Sequence, residues 1–449
     1  MLVETEPLLC LLRDWIEAVD AHAPHRVPLL QRAEQVLSGD LDASPDARGR
    51  LAERLERWRY QHLDSCRDQP SPLHCRLADV LDLLANHLLG RPPRGPRCPR
   101  GALADTFRQP LELARAKQCL DRAVPVEAVI SRANKLTREH FGVFDEQART
   151  LRRRMLLYAP LYLSNHCVNY CSYCGFRYPN DVARRHLTLD EAIEQADILA
   201  QRGFRHVLLV AGDFPRLTSA RYFGEIIRAL SERGLRVAVE VAPQTTAAYE
   251  ALAAAGACGV TLYQETYDEP LYSWYHPKGT KSSYDWRLEA MERAAEAGFQ
   301  RLGLGVLLGL GKPQDELEAL VRHARYLLAR FPDLRLAFSL PRIHSAPAGF
   351  TPPYPADDET LIRMYCALRA AFPAAELVLS TREPPRLRNR LVEICVTQFS
   401  AGSSTVPGGY HENGQTSDCG GQFPVMDHRT PADVAAWLEA AGFRVEWNL

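Results

Sequence analysis

The stretch "YLSNHCVNYCSYCGF", residues 162–176, places Cys167, Cys171 and Cys174 within eight positions, directly after an apolar run that reads as a strand. A tetrahedral structural zinc site needs four protein ligands, commonly in C-x₂-C pairs, and this C-x₃-C-x₂-C spacing supplies three. The nearest extra ligand, His166, adjoins Cys167, where joint ligation is awkward. Three thiolates suit three corners of a cubane iron–sulfur cluster, whose fourth iron then stays open to a substrate or cofactor. Zinc completed by a distant His or Cys is the competing reading.

Outward from the cysteines the chain alternates strand and helix. Apolar strand candidates are "APLYLS" (159–164), "RHVLLVAG" (205–212), "LRVAVEVA" (235–242), "GVTLYQE" (259–265), "QRLGLGVLLG" (300–309), "LRLAFSLPR" (334–342), "AELVLST" (375–381) and "ICVTQFSAG" (394–402). Amphipathic helices such as "TLDEAIEQADILAQRG" separate them. Continuous apolar strands alternating with helices mean a parallel sheet buried on both faces. Eight of them predict an α/β fold of the (β/α)₈ TIM-barrel type, with chemistry on the loops after the strands. The cysteine loop is the first of those loops. No Gly-rich dinucleotide fingerprint follows the first strand, which weighs against an open doubly wound sheet.

Upstream, residues 1–90 carry apolar residues at helical spacing, as in "CRLADVLDLLANHLL". "GRPPRGPRCPRG" (90–101) reads as a linker. A second helical stretch, about 108–158, is expected to lead into the cysteine loop. The domains expected are thus a helical region of unread role over 1–115 and a barrel with its closing segment over 116–449.

With 54 Lys+Arg against 55 Asp+Glu, no broad basic field invites nucleic acid or an anionic membrane. The first 20 residues hold acids within and around a short apolar run and do not read as a signal peptide. No apolar run has the length of a membrane span. Twelve cysteines, nine of them scattered singly, suit a reducing cytoplasm and not a disulfide scaffold. Cys66 and Cys75, with His74 adjacent, form a further candidate metal pair.

The cysteine motif, with Tyr173 before its last Cys and a barrel strand in front, resembles the radical S-adenosylmethionine superfamily. Within it, "LYAPLYLSNHCVNYCSYCGFRYPND" looks like the aromatic amino acid lyase group, which includes the tyrosine lyases of thiamine synthesis and of hydrogenase maturation. The likeness recurs in order through "LLVAGDF", "YQETYDEPLYSWYHPKG", "DWRLEAMERAAEAGFQRLGLGVLLGL", "FSLPRIHSA", "LSTREPPRLR", "SAGSSTVPGGY" and "QFPVMDHRTP", covering about 120–449. It implies one [4Fe-4S] cluster on Cys167, Cys171 and Cys174, with S-adenosylmethionine on the open iron. It also implies cleavage of the Cα–Cβ bond of a free aromatic amino acid, foremost tyrosine, to 2-iminoacetate (dehydroglycine) and p-cresol. A low-potential donor of flavodoxin or ferredoxin type would supply electrons. The hydrogenase-maturation lyase carries a cysteine motif beyond the barrel. The end of this sequence, "AAGFRVEWNL", has no counterpart to it, and Cys419 stands alone, so a single cluster is expected.

The same resemblance assigns the cofactor to Tyr173, to Gly212–Asp213 where the family commonly has Gly-Glu, to Gln264, Glu265 and Thr266, and to Arg287. Asp213 as a plain turn acid and Arg287 as a solvated helix charge are the competing readings. For the substrate, Ser339, Arg342 and His344 end the sixth strand, and Ser380, Thr381, Arg382 and Glu383 end the seventh. A strand-end arginine is costly unless an anion pairs with it. Arg342 is the expected substrate-carboxylate clamp, and Arg382 is the candidate for a structural bridge to Glu383 or another protein acid. His344 stands where the family usually has Arg, and this keeps tryptophan or a modified aromatic amino acid open as the substrate. "SAGSSTVPGGY" offers free backbone amides. A reading of another class, an iron–sulfur scaffold or carrier whose residues 1–115 bind a protein partner, predicts no cleavage of S-adenosylmethionine.

Overall fold

The apolar runs become strands because each has a neighbour on both sides. A computed structural model describes residues 5–20, 23–65, 72–91, 97–105, 109–146, 149–346, 349–411 and 420–448. Its strands are β1 (Gly142–Asp145), β2 (Thr150–Ser164), β3 (His206–Ala211), β4 (Arg236–Glu240), β5 (Gly259–Thr261), β6 (Arg301–Gly305), β7 (Arg335–Ser339), β8 (Glu376–Leu379), β9 (Gln398–Ser400) and β10 (Phe443–Glu446). β2 to β9 are parallel and ordered as in the chain, and β9 returns to β2 through Leu156–Gln398, Leu157–Phe399 and Tyr158–Ser400. This is a closed eight-stranded barrel. β4 and β8 stand four strands apart in the ring, so their ends face each other across the mouth.

The helical reading of 108–158 fails in its last third. Helices Leu111–Leu120 and Val126–Phe141 form, but Gly142 begins β1, and β2 starts at Thr150. β2 changes partners along its length: β1 antiparallel and β10 parallel at first, then β9, then β3. "LRRRMLLY" has good intrinsic helix formers, and pairing on both edges overrides that preference.

Capped helices leave several strand ends cleanly. Thr188 makes a reciprocal capping box with Glu191, and Ser219, Thr245 and Asp357 each accept an N–H in the first turn of their helix.

The N-terminal helices Val27–Ser38, Pro45–Ser65 and Pro72–Leu88 pack round a core of their own, with Leu30, Leu55, Leu81 and Leu84 buried. This layer docks on the barrel through buried charge. Arg59 forks onto Glu289, and Tyr60 Oη donates to the same carboxylate at 2.6 Å. Arg97 meets Glu56 at 3.0 Å, Asp82 at 3.1 Å and Glu296 at 2.6 Å. Residues 97–101 of the segment read as linker are therefore anchored, and Pro99–Ala104 is a helix. A boundary at 115/116 falls inside helix Leu111–Leu120. Among the described residues no helix is long and apolar enough to cross a membrane.

Candidate active site

The cysteine loop leaves β2 at Ser164 and is held by one arginine. Arg184 donates to the carbonyls of Asn165 (2.6 Å), Phe176 (2.8 Å), Arg177 (2.8 Å) and Asn180 (3.1 Å). Val168 N–H reaches Asp213 O at 2.8 Å, and Gly212 N–H reaches Ser164 O at 2.8 Å. A Cβ on Gly212 would lie 2.4 Å from His166 O, so glycine is what lets the loop after β3 touch the cysteine loop.

Cys167, Cys171 and Cys174 line one cavity together with Gly212, Glu240 and Glu265. Desolvation pushes the Cys171 thiol up to about 12 and Cys174 up to about 11, with Lys281 opposing both shifts. Buried thiols of this kind ionise when bound cations supply the missing positive charge. Among the described residues no three His, Cys, Asp or Glu side chains converge as ligands of a single ion. Three thiolates on one cavity suit a cluster, in which each takes its own iron. Cys66, Cys419 and the side chains of His74 and Cys75 lie outside the described residues.

Opposite the thiols is a knot of charge. Glu265 accepts from Lys281 Nζ at 2.6 Å and from Arg287 Nη2 at 3.0 Å, and it adopts φ +73°, a strained conformation for a side chain of its kind. Arg287 is buried and also donates to Tyr263 O at 2.7 Å, so it is no solvated helix charge. Tyr173 Oη lies 2.8 Å from His276 Nε2 and 3.1 Å from Lys281 Nζ. Asp213 accepts from Asn169 Nδ2 at 3.1 Å and from Thr280 Oγ1, which makes it a held acid of the cavity wall.

Gln264 and Thr266 do not line this cavity. Leu262, Tyr263 and Glu265 line it, and the chain beyond β5 leaves the extended path at Glu265. The Thr266 hydroxyl donates to Glu316 instead. Ser339 sits deeper, in a chamber beneath the mouth shared with Tyr158, Tyr263 and Gln398. Ser380 is half-buried and lines neither space.

Arg342, the expected clamp, is held by protein groups. Every nitrogen of the Arg342 guanidinium is engaged: both oxygens of Glu383, Ala356 O at 3.0 Å and Asp358 Oδ1 at 3.0 Å. His344 Nε2 lies 3.0 Å from the same Glu383. Glu383 thus bridges to Arg342, and Arg382 is the arginine left over. Arg382 lies over the Phe423 ring at 3.5 Å, with its Nη1 buried and without a hydrogen-bond partner among the described residues. Its charge draws down the carboxyls of Glu240 and Glu265, so it faces the mouth.

Glu240, at the end of β4, escaped the sequence reading. Burial pushes its carboxyl up to about 7, with Arg382, Arg287 and a Tyr263 hydrogen bond pulling down and Glu265 pushing further up. A lone acid inside "LRVAVEVA" was the available signal, because a barrel strand has no solvent side for it. Lys281 and Gln422 also line the cavity and were not singled out. In the "SAGSSTVPGGY" segment Tyr410 Oη donates to Pro160 O at 2.5 Å and Gln195 brackets the Tyr410 backbone, so this stretch ties the closing loop to β2. A larger cleft lies beside the thiol cavity under helix Pro45–Ser65 and shares Asp213 with it, but it contains no thiol.

Residues 161–324 match the model of the radical SAM superfamily, and 339–444 match that of the biotin and thiamin synthesis associated domain. The 2-iminoacetate synthase of Escherichia coli (strain K12) is 36% identical over 326 residues, 72% of this chain and 82% of that relative. The chain belongs to the radical SAM superfamily. Among solved structures, the [FeFe]-hydrogenase maturase HydG of Carboxydothermus hydrogenoformans aligns with a TM-score of 0.67 at 28% identity, over 90% of this chain and 86% of that one. A second HydG structure gives 0.66 at 30% identity, over 78% and 79%. As a radical SAM enzyme the protein uses a [4Fe-4S] cluster and S-adenosylmethionine, acts on a small molecule and requires reductive activation.

Proposed function

We propose that this radical SAM enzyme is a tyrosine lyase that cleaves the Cα–Cβ bond of free tyrosine to 2-iminoacetate and p-cresol. The observation that carries the reading is one cavity lined by three thiols, two of them buried, and by a carboxyl on β4, with an arginine that has a spare donor on the loop after β8. Its likeness to 2-iminoacetate synthase, over most of both chains, supports it.

Cys167, Cys171 and Cys174 are the ligands of the cluster. With S-adenosylmethionine bound, the group supplies a 5′-deoxyadenosyl radical able to take hydrogen from an amine. Arg287, Lys281 and the acids beside them receive the cofactor's charged methionine end. Arg382 clamps the substrate carboxylate, a bidentate task that Lys does not reproduce. Across the mouth the Glu240 carboxylate takes the proton of the substrate ammonium, leaving the neutral amine that hydrogen abstraction requires. The aromatic ring extends toward the chamber of Tyr158, Tyr263 and Ser339. Closed barrel walls keep water from the reacting atoms.

His344 was one reason to keep another aromatic substrate, the unusual N-terminal region being the other. Its contact with Glu383 ties it to the structural cluster of Arg342, and it gives the alternative no support. A cytoplasmic home suits nine free thiols among the described cysteines. The test is anaerobic reconstitution with iron and sulfide, then tyrosine, S-adenosylmethionine and dithionite. p-Cresol and glyoxylate, the hydrolysis product of 2-iminoacetate, are expected by mass spectrometry. 5′-Deoxyadenosine without p-cresol refutes the substrate, and neither product refutes the reaction.

A further inference from the structure

The cysteine loop has an outer face as well as a cavity face, and the outer one is unusual. Trp274 is 78% exposed and Tyr178 is 59% exposed, two of the few large hydrophobics turned to solvent among the described residues. Both belong to segments fastened to the cysteines. Ser172 N–H donates to Tyr275 O at 3.1 Å, Tyr170 N–H to Lys278 O at 3.2 Å, and Tyr178 N–H to Asn169 O at 2.9 Å. The Tyr170 and Tyr178 rings lie 5.5 Å apart, and Lys278 Nζ sits 5.7 Å from the Tyr170 ring. Lys278 is exposed and Arg177, beside Tyr178, is half-buried, and neither has an ion-pair partner among the described residues. Asp181 and Asp268 are the exposed acids of the neighbourhood, and Asp268 already caps helix Glu269–Tyr275. Exposed aromatics rimmed by unpaired cations mark a protein-binding surface, and this one covers the residues next to Cys171.

The reaction needs electrons there. Tyrosine has the same composition as 2-iminoacetate plus p-cresol, so lysis itself is redox-neutral. Splitting the S-adenosylmethionine sulfonium into methionine and 5′-deoxyadenosine consumes two electrons and one proton per turnover. Electron transfer falls off steeply with distance, so a donor has to seat close to the cysteines.

We propose that the face of Tyr170, Tyr178, Trp274 and Lys278 is the docking surface for a flavodoxin-type donor, an acidic protein presenting a planar apolar flavin edge. The aromatics meet the flavin edge, and Lys278 and Arg177 meet its carboxylates. At each encounter the reduced flavin loses one electron and the oxidised cluster gains it, with no bond made or broken. The inference rests on the three cysteines as cluster ligands.

Trp274→Ala and Lys278→Glu variants test it, prepared as cluster-loaded protein. In calorimetric titration with oxidised flavodoxin each should raise Kd about tenfold or more, and the Glu variant should flatten the salt dependence. Product formation driven by flavodoxin, its reductase and NADPH should fall to a similar degree, while dithionite-driven formation matches the parent. An unchanged Kd, an equal loss with dithionite, or weakened binding of a ferredoxin with flavodoxin unaffected would overturn the proposal. A parent inactive even with dithionite refutes the lyase reading instead, and the titration still decides the surface.

Discussion

Arg342 and Arg382 differ in what already surrounds them, and that difference separates their mutants. Arg382→Lys removes the fork meant for the substrate carboxylate. It should lower kcat/KM for tyrosine by about 2–3 kcal/mol, roughly 30- to 150-fold, with thermal unfolding unchanged. Arg342→Met leaves Glu383 buried with His344 as its remaining partner, a defect of about 3 kcal/mol; the melting temperature should fall by several degrees. Sequence alone placed both arginines at strand ends but could not show which of them the neighbouring acid would take. Glu240 makes a prediction in pH. Its folded carboxyl titrates near 7, above the ordinary 4.5. The folded chain therefore holds that proton more tightly than the unfolded chain, and this contribution to stability declines as pH rises from about 4.5 through 7. Melting curves of Glu240→Gln should accordingly gain on the parent between pH 5 and 8. In kinetics the parent's kcat/KM should climb through about pH 7 as the carboxylate forms, and the Gln variant should lack that limb and run at least tenfold lower.

Elements explain what the period of the sequence could and could not reveal. The eight parallel strands were legible because a strand covered by helices on one face and packed core on the other has to be apolar throughout. β1 and the first half of β2 were not, since partners on both edges, and not local preference, make "TLRRRMLL" extended. Gln264 and Thr266 lie off the thiol cavity where the chain beyond β5 turns at Glu265, whose φ of +73° no apolar pattern announces. The short helix Tyr284–Leu288 is tied to the N-terminal layer through contacts on either side of Arg287. Arg100 binds Asp285, Ser283 Oγ donates to Asp64 at 3.0 Å, and Arg59 binds Glu289. Arg59→Met should therefore do more than cost about 3 kcal/mol for the stranded carboxylate. It should raise KM for S-adenosylmethionine several-fold with kcat nearly unchanged, a split that general destabilisation does not produce.

At the scale of the molecule, the barrel gathers residues from all along the chain onto one rim. The cysteines come from the loop after β2, Glu240 from β4, Glu265 from the segment after β5 and Arg382 from the loop after β8. Spacing in the sequence exposed the first of these, because its three ligands are neighbours. The others converge only through closure of the ring, so their grouping was not readable beforehand. Cys171→Ala should abolish product formation and reduce bound iron well below the four atoms per chain expected for one cluster, by iron and sulfide assay. The four-carbonyl grip of Arg184 has a further consequence. Because a single guanidinium gathers those four carbonyls, the spacing of all three thiols hangs on one side chain.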